Sequence, residues 1–592
     1  MTTRATRGPR RRTVVALAVI LVVLCAFVVR LIDIQVVSAN EHVEDSLTVG
    51  QLGSTSTLHG DRGSILDENG IVLASSVKVY DVQLSPSLIM QLEDDTEKPP
   101  KTSWTEASEK IAAITGQDAE ELRTAVAANL EDDPSSQYYQ LVNGVSTEKY
   151  LELRDLGLVY LHAEARETRV YPNGAVAGNV VGYVDNAGSG QAGIEQMESE
   201  CLAPTDGERT YLRGKDGNVI PGSERTVEAA NGGTVQLTID SDLQWYLQQM
   251  IAEEAQKQGA KAGTVTVVEV KTGKIRAAAE WPSLDPNDLN ASSPDDWGTR
   301  VFGTTFEPGS TFKAITAAAA LDSGAVNMGT TATVPDHEVF PNGAVINDAF
   351  RHEPYQYTLA GALIDSSNVG LSHFGTMVDA QTRFEYMKRF GVGSETVGFP
   401  REENGVVHAP ENWDSQSLYT TTFGQAFTVT APQVAGAYQA IANGGEKIDL
   451  SLIESCMLGD GTVVKPDAPE HEQVVSEKTA GEVARMLENV SVQGGLSQQI
   501  EVPGYRVATK TGTAQKADAG GYIAGLYFTS MVGFAPVDDP QYVVVVTLDE
   551  PTKVVSSAAT ASAFQKAMTQ VLKTYRVSPS TVPMDELLPK FN

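Results

Sequence analysis

The chain has 592 residues, more than a single hydrophobic core serves, so at least two domains are expected. An apolar share of 41% with 52 Gly and 27 Pro excludes a fibrous or disordered chain. The formal net charge is -32; five of the 44 Lys and Arg lie in residues 1–12 and none of the 76 Asp and Glu do, so the rest stands near -37. Such a body repels phosphate backbones, and no nucleic-acid partner is expected.

Thr13 to Val29 is an uncharged run, mostly Val, Leu and Ala. It is close to the shortest helix that spans a bilayer. Arg30 and Asp33 follow, then Ile34, Val36 and Val37, which predicts a tilted anchor over 13–37 with Arg30 snorkelling. Arg4, Arg7, Arg10, Arg11 and Arg12 precede the run and acidic sequence follows it. That asymmetry predicts a single-pass protein of the cell membrane, with residues 1–12 cytoplasmic and the body outside. Val37-Ser38-Ala39 would serve as a signal cleavage site, but the apolar run exceeds a usual signal core. Cys25 follows Leu24, which is not small, so a lipid anchor there is unsupported.

Residues 38–232 read as a mixed, loop-rich region. Leu58–Asp67 suggests a turn feeding a short strand, and Asp67-Glu68-Asn69-Gly70 a second turn. Residues 93–102 read as an exposed loop. Thr105–Leu130 has helical spacing, with Ile111, Ile114 and Leu122 on one face. Val180–Val184 reads as a strand. A boundary falls at Asn231-Gly232-Gly233.

Beyond it, Thr234–Ile239 alternates like a strand, and Asp240 can cap a helix running through Gln258 and stopped by Gly259. Thr264–Val270 and Lys274–Ala279 predict a hairpin. Ser310–Ser323 is an Ala-rich helix with Phe312, Ile315, Thr316 and Ala319 on one face. Tyr505–Thr509 reads as a strand, Tyr527–Phe534 and Tyr542–Asp549 as a strand pair, and Ala558–Tyr575 as a closing helix. Residues 578–592 read as a short tail. Cys201 and Cys456 lack a CxxC partner, so no metal or redox motif is present. Outside the cell the two could pair, but sequence does not fix their geometry, and the pairing stays open.

Three short motifs carry chemistry. In Ser310-Thr311-Phe312-Lys313, Ser and Lys share one helical face, so the amine can reach the hydroxyl. A serine is a weak nucleophile until a base takes its proton, and a desolvated lysine can be that base. Glu307-Pro308-Gly309 would set Ser310 at a helix N-terminus. Alone the motif is weak, since a chain this long contains about one S-x-x-K by chance. Ser366-Ser367-Asn368 follows an apolar run; Ser366 can relay a proton and Asn368 can hold an amide, though for this motif alone a helix cap or turn is the favoured reading. Lys510-Thr511-Gly512-Thr513 ends the strand from Tyr505. Lys510 can bind a carboxylate, Thr511 and Thr513 offer hydroxyls, and Gly512 lets a peptide approach the strand. Lys271-Thr272-Gly273 spells the same tripeptide, but a hairpin turn suffices there.

Order sharpens the three motifs. S-x-x-K, then S-x-N, then K-T-G is the signature of penicillin-binding proteins, with a close variant in class A β-lactamases. Phe306–Lys313 and Lys510–Gln515 resemble the corresponding segments of class B penicillin-binding proteins. Arg62–Asp67, Arg169, Tyr171-Pro172, Gly182-Tyr183 and Gly193-Ile194-Glu195 look like that family's pedestal motifs. Leu237–Asp240 with Gln244, and Phe423-Gly424-Gln425 through Gly445, look like its transpeptidase domain. Glu280-Trp281-Pro282 and Arg351–Tyr357 depart from the pattern.

The resemblance implies an α+β multidomain fold. It would comprise a transmembrane helix, an elongated mixed α/β pedestal over 38–232, and a transpeptidase domain over 233–577. In the last, an antiparallel sheet is flanked by helices and joined to an all-helical subdomain. The implied activity is that of a serine D,D-transpeptidase of peptidoglycan stem peptides, trapped by β-lactams and needing no cofactor or metal. Ser310 would be the nucleophile, assisted by Lys313, Ser366, Asn368 and Lys510. Thr511, Gly512 and Thr513 would bind substrate, and the Ser310 and Thr513 N–H groups would form the oxyanion hole. A membrane glycosyltransferase is the implied partner, and a septal role is favoured over an elongation role. A D,D-carboxypeptidase, a β-lactamase and a silent β-lactam-binding scaffold are the alternatives. No Glu-x-x-Leu-Asn pattern lies between Ser366 and Lys510 to supply a β-lactamase's base.

Overall fold

The computed structural model describes residues 8–33, 37, 53–213, 219–518 and 521–592. Arg4 and Arg7, Ile34 and Val36, Ser38-Ala39 of the cleavage-like segment, and residues 40–52 lie outside the described residues. The chain forms two compact units: Met1–Asp61 with Pro204–Gly232, and Arg62–Ala203 with Gly233–Asn592. These units and the expected domains divide the chain differently.

In the first unit, Gly8–Ile32 is one helix. Its segment Thr13–Ile32 is 20 residues long and exposed throughout. At 1.5 Å per residue it reaches about 30 Å, the thickness of bilayer hydrocarbon. Arg30 pairs with Asp33 at 2.6 Å, one turn on. A separate three-stranded antiparallel sheet joins Gly53–Leu58 to Gly207–Leu212 and that strand to Arg225–Val227.

In the second unit, a mixed sheet runs in the order Val463–Val464, Ile453–Met457, Thr234–Leu237, Ile65–Leu66, Val72–Leu84 and Tyr139–Ser146, with Leu161–Val170 also on Val72–Leu84. The helical run expected over 105–130 is two helices. Gly116 adopts φ 81 and closes Trp104–Thr115, and Asp118 caps Ala119–Asp132 by accepting the Glu120 and Glu121 N–H groups. Ile111 and Leu122 bury against Val82, Leu84 and Leu141. Instead of the expected strand at 180–184, Gly178–Val181 is a short buried helix. Tertiary packing of Val180 and Val181 overrides their strand preference.

Three of the motif segments meet at one buried carboxylate. Glu195 accepts from Arg62 Nε and Arg169 Nε, each at 2.7 Å, and Arg169 also donates to the Gly63 carbonyl at 2.6 Å. Cys201 and Cys456 form a disulfide across a sequence separation of 255 residues, settling the pairing that sequence left open.

The rest of the unit is built on a second sheet. Asp240 caps helix α1 (Ser241–Gln258) through the Leu243 N–H, and Gly259 ends it in the left-handed region. Strands β1 (Ala262–Glu269) and β2 (Ile275–Trp281) form the expected hairpin. Helix α2 (Lys313–Asp322), helix α3 (Leu359–Ile364), helix α4 (Asn368–Thr376), helix α5 (Ala431–Ala442) and helix α6 (Glu477–Gln493) follow. Then come β3 (Ala508–Asp518), β4 (Gly521–Ala535), β5 (Tyr542–Asp549) and α7 (Ala558–Thr574). The sheet is antiparallel in the order β2-β1-β5-β4-β3, which leaves β3 at an edge. Alternation divides its core: Val544 and Val546 pack with Leu247 of α1 and Phe564 of α7, whereas Val543 and Val545 pack with Ala435 and Tyr438 of α5. The tail, residues 578–592, docks on α3 and α6. Leu588 is buried, and the Pro589 and Lys590 carbonyls accept hydrogen bonds from Thr358.

Candidate active site

Ser310 does not open the α-helix itself. It sits in a 3-10 turn, Gly309–Phe312, that leads into α2. Gly309 donates to the Gly424 carbonyl at 2.8 Å, and Gly424 has φ 87. A Cβ on Gly424 would lie 2.0 Å from the Gly309 carbonyl oxygen. Both that close approach and the positive φ require glycine in Phe423-Gly424-Gln425. The turn lies against β3, since a Cβ on Gly309 would be 3.0 Å from the Thr513 carbonyl oxygen.

Lys510–Thr513 lies near the start of β3 rather than at a strand's end. Lys510 and Gly512 are buried, while Thr511 and Thr513 are half-buried. A Cβ on Gly512 would approach Ser530 Oγ to 2.3 Å and Thr311 Cγ2 to 2.9 Å. Its missing side chain therefore lets β3 close on the Ser310 turn and on β4. Thr513 Oγ1 accepts the Ser557 N–H at 2.9 Å, which leaves its own proton to donate.

The three motifs converge on Ser366. Lys313 is fully buried and donates to the Ser366 carbonyl, to Ser366 Oγ at 3.2 Å and to Asn368 Oδ1 at 2.8 Å. Lys510, equally buried, reaches Ser366 Oγ at 2.9 Å. One hydroxyl thus bridges two amines. Ser366 has φ 55, a left-handed conformation that costs a non-glycine residue about 1 kcal/mol. Ser367 caps α4 by accepting the Gly370 N–H at 2.8 Å. Asn368 also spends Nδ2 on the Asn347 carbonyl at 3.0 Å, so one of its amide protons stays free for a ligand.

The two amines are electrostatically disfavoured as ammonium ions. Burial holds Lys313 well below the usual lysine range, and the charge of Lys510 lowers it further against a smaller opposing pull from Asp348. Burial brings Lys510 down to about 7. Both shifts favour the uncharged amine over the ammonium ion at residues 313 and 510.

A family model for the penicillin binding protein transpeptidase domain matches residues 263–569, and one for the penicillin-binding protein dimerisation domain matches residues 57–237. The chain belongs to the class B penicillin-binding proteins. It is 32% identical over 565 residues to penicillin-binding protein PbpB of Mycolicibacterium smegmatis, covering 90% of this chain and 86% of that protein. It is 28% identical over 570 residues to peptidoglycan D,D-transpeptidase FtsI of Escherichia coli, covering 95% and 92%. Among solved structures, a peptidoglycan synthetase from Bifidobacterium adolescentis aligns with TM-score 0.72 at 30% identity, over 91% of this chain and all of the other. Penicillin binding protein 3 from Mycobacterium tuberculosis, complexed with aztreonam, aligns with TM-score 0.69 at 26% identity over the same shares.

Sequence motifs alone missed part of this penicillin-binding protein's site. Asp348 accepts from Ser367 Oγ at 2.6 Å and from the Val369 N–H at 2.9 Å, fastening the start of α4. His352 lies 3.0 Å from the same carboxylate and stacks on Tyr355. Burial opposes its protonation, but hydrogen bonds from its ring to the Glu353 carbonyl and to Asp348, with the Asp348 charge, carry it net upward. The available signal was the atypical Arg351–Tyr357 segment. The other atypical segment places Glu280 in the interior, where it accepts from Thr299 Oγ1 and the Arg300 N–H, at 2.8 and 2.9 Å. Burial pushes that carboxyl up to about 7.

Proposed function

We propose that this class B penicillin-binding protein is a serine D,D-transpeptidase that cross-links peptidoglycan stem peptides, with Ser310 as its nucleophile. The observation that carries the proposal is the pair of buried amines, Lys313 and Lys510, meeting at Ser366 Oγ beside the Ser310 turn. Ser310 Oγ attacks the carbonyl of the penultimate D-Ala of a donor stem peptide while Lys313 takes its proton. The tetrahedral oxyanion is held by the Ser310 and Thr513 N–H groups, donors of a kind worth a few kcal/mol each. The C–N bond breaks, and terminal D-Ala leaves with a proton relayed through Ser366. An amine of a second stem peptide then attacks the ester and restores Ser310.

Lys510, Thr511 and Thr513 receive the donor carboxylate, and Asn368 holds a substrate amide. The free edge of β3, from Lys510 through Gly512, aligns the donor as an added strand. A β-lactam occupies the same place and leaves Ser310 acylated; aztreonam is bound in the Mycobacterium tuberculosis relative.

We assign residues 13–37 as a single membrane anchor, 1–12 as cytoplasmic, 38–232 as pedestal and 233–577 as the transpeptidase domain. The Cys201–Cys456 disulfide supports an extracytoplasmic body. A septal role, alongside a membrane glycosyltransferase, is supported by similarity to proteins named FtsI and PbpB. The test is covalent labelling by a fluorescent penicillin. Wild type is expected to hold the label and Ser310→Ala to take none. Label retained by the alanine variant would refute the nucleophile; label shed from wild type within seconds would mark a hydrolase. Depletion in cells should give filaments, whereas rounded cells would point to elongation.

A further inference from the structure

Ser366 is the pivot of the site, yet its backbone is strained and its helix is short. α3 has only six residues, from Leu359 to Ile364. What holds it lies far away in sequence. Residues 586–592 run as an extended strap from α6 across α3. Arg485 of α6 donates to the Glu586 carbonyl at 3.1 Å. Leu588 is buried, with its N–H on Asn489 Oδ1 at 2.9 Å and its carbonyl on Gln493 Nε2 at 3.0 Å.

The strap then grips both ends of α3. At the start, Thr358 is the N-cap. It donates its N–H to the Lys590 carbonyl at 3.0 Å and its hydroxyl to the Pro589 carbonyl at 2.7 Å. Within the helix, a Cβ on Gly361 would lie 1.9 Å from the Lys590 carbonyl oxygen, so the strap touches bare backbone there. At the end, Asp365 is the C-cap and is bonded directly to Ser366. Lys590 Nζ reaches Asp365 Oδ1 at 2.6 Å, and Tyr357 donates to Asp365 Oδ2 at 3.0 Å. Phe591 packs 4.9 Å from the Tyr357 ring, and Asn592 N–H bonds the Gln356 carbonyl.

We infer that the 586–592 strap, through Lys590 on Asp365, is a positioning element that holds Ser366 in its left-handed conformation between Lys313 and Lys510. The physical reason is separation of tasks. Lys313 holds Ser366 by its carbonyl and Asp348 fastens the residues after it, but among the described residues only the strap and Tyr357 hold the Asp365 side chain before it. The Lys590–Asp365 pair is partly exposed, so it adds little to global stability. Its leverage is geometric, because small displacements of an assisting group are magnified in the rate.

The inference rests on the acyl-enzyme reading above, and the test separates the two. Acylation by a fluorescent penicillin is measured as a rate constant and a pre-acylation dissociation constant, on the full chain, on Lys590→Met, on Lys590→Arg, and on a chain ending at Leu587. Thermal midpoints are measured alongside. The shortened chain should acylate about tenfold more slowly and Lys590→Met about threefold more slowly, with the dissociation constant within about twofold of wild type. Lys590→Arg should restore most of the rate. Lys590→Met acylating at the wild-type rate overturns the inference even if the shortened chain fails to fold. So does a slowing in Lys590→Met that Lys590→Arg shares in full, or one that appears only in the dissociation constant. A wild type that takes no label overturns the acyl-enzyme reading instead.

Discussion

Two buried charge clusters in this chain are built in opposite ways. Around Glu195, a carboxylate with no exposure lies between two guanidinium groups, each 2.7 Å away. Around Ser366, two lysines without exposure share a hydroxyl, and neither contacts a carboxylate. The first cluster pairs its one carboxylate with both cations and so serves architecture, joining Arg62, Arg169 and Glu195. The second leaves its amines without a carboxylate in contact, which costs stability and disfavours the ammonium form. The contrast shows that motif residues recognised by the same family likeness can do unlike work, and that the state of charge compensation tells them apart.

Substitutions in the two clusters should therefore separate activity from stability. Lys313→Met should slow acylation by about a thousandfold or more, while thermal stability holds or rises. The folded-state amine titrates below its unfolded value, so the native state is penalised wherever the unfolded lysine is protonated. The stability gained by methionine should shrink steadily as pH rises from 7 and vanish above about pH 10.5, the unfolded lysine value. Thermal scans of Lys313→Met against wild type from pH 7 to 10.5 check this; a large loss of stability would place Lys313 with the compensated kind. Glu195→Ala should do the reverse. It strands two buried guanidinium groups and should cost about 3–5 kcal/mol in denaturant unfolding. The fraction that remains folded should acylate at close to the wild-type rate.

Replacing Cys201 and Cys456 together by serine should cost about 3 kcal/mol or somewhat more, because the cross-link removes freedom from a long stretch of unfolded chain. A smaller, pH-dependent effect is expected at Glu280. Its folded-state value of about 7 lies above the unfolded one, so its ionisation penalises the native state as pH rises through that window. Glu280→Gln keeps an acceptor for the Thr299 hydroxyl and cannot ionise. Relative to wild type it should gain up to about 2–3 kcal/mol between pH 5 and pH 8. An unchanged difference across that range would mean that the carboxyl ionises normally.

Much of the catalytic sheet was legible in sequence, because its signals are local. Asp240 and Gly259 bound α1 as cap and stop, and Tyr542–Asp549 is a strand over the expected residues. The order of Ser310, Ser366 and Lys510 pointed to one site although 144 residues separate the last two. What was illegible depends on partners distant in sequence. Val180 and Val181 read as strand but pack into a short helix. The 578–592 segment, interrupted by Pro579, Pro583 and Pro589, has no periodicity of its own and takes its shape from α3 and α6. Asp348 and His352 carry no motif and matter only because folding sets them under Ser367. The packing of Gly512 on Thr311 and Ser530 also depends on folding, since both partners are distant in sequence.

The measurement that bears most directly on the account is peptide mapping by mass spectrometry after treatment with a penicillin. The account predicts one adduct, of the intact mass of the drug, on the peptide that contains Ser310, and its absence in Lys313→Met over the same exposure. An adduct on any other peptide, or full modification of the methionine variant, would contradict it.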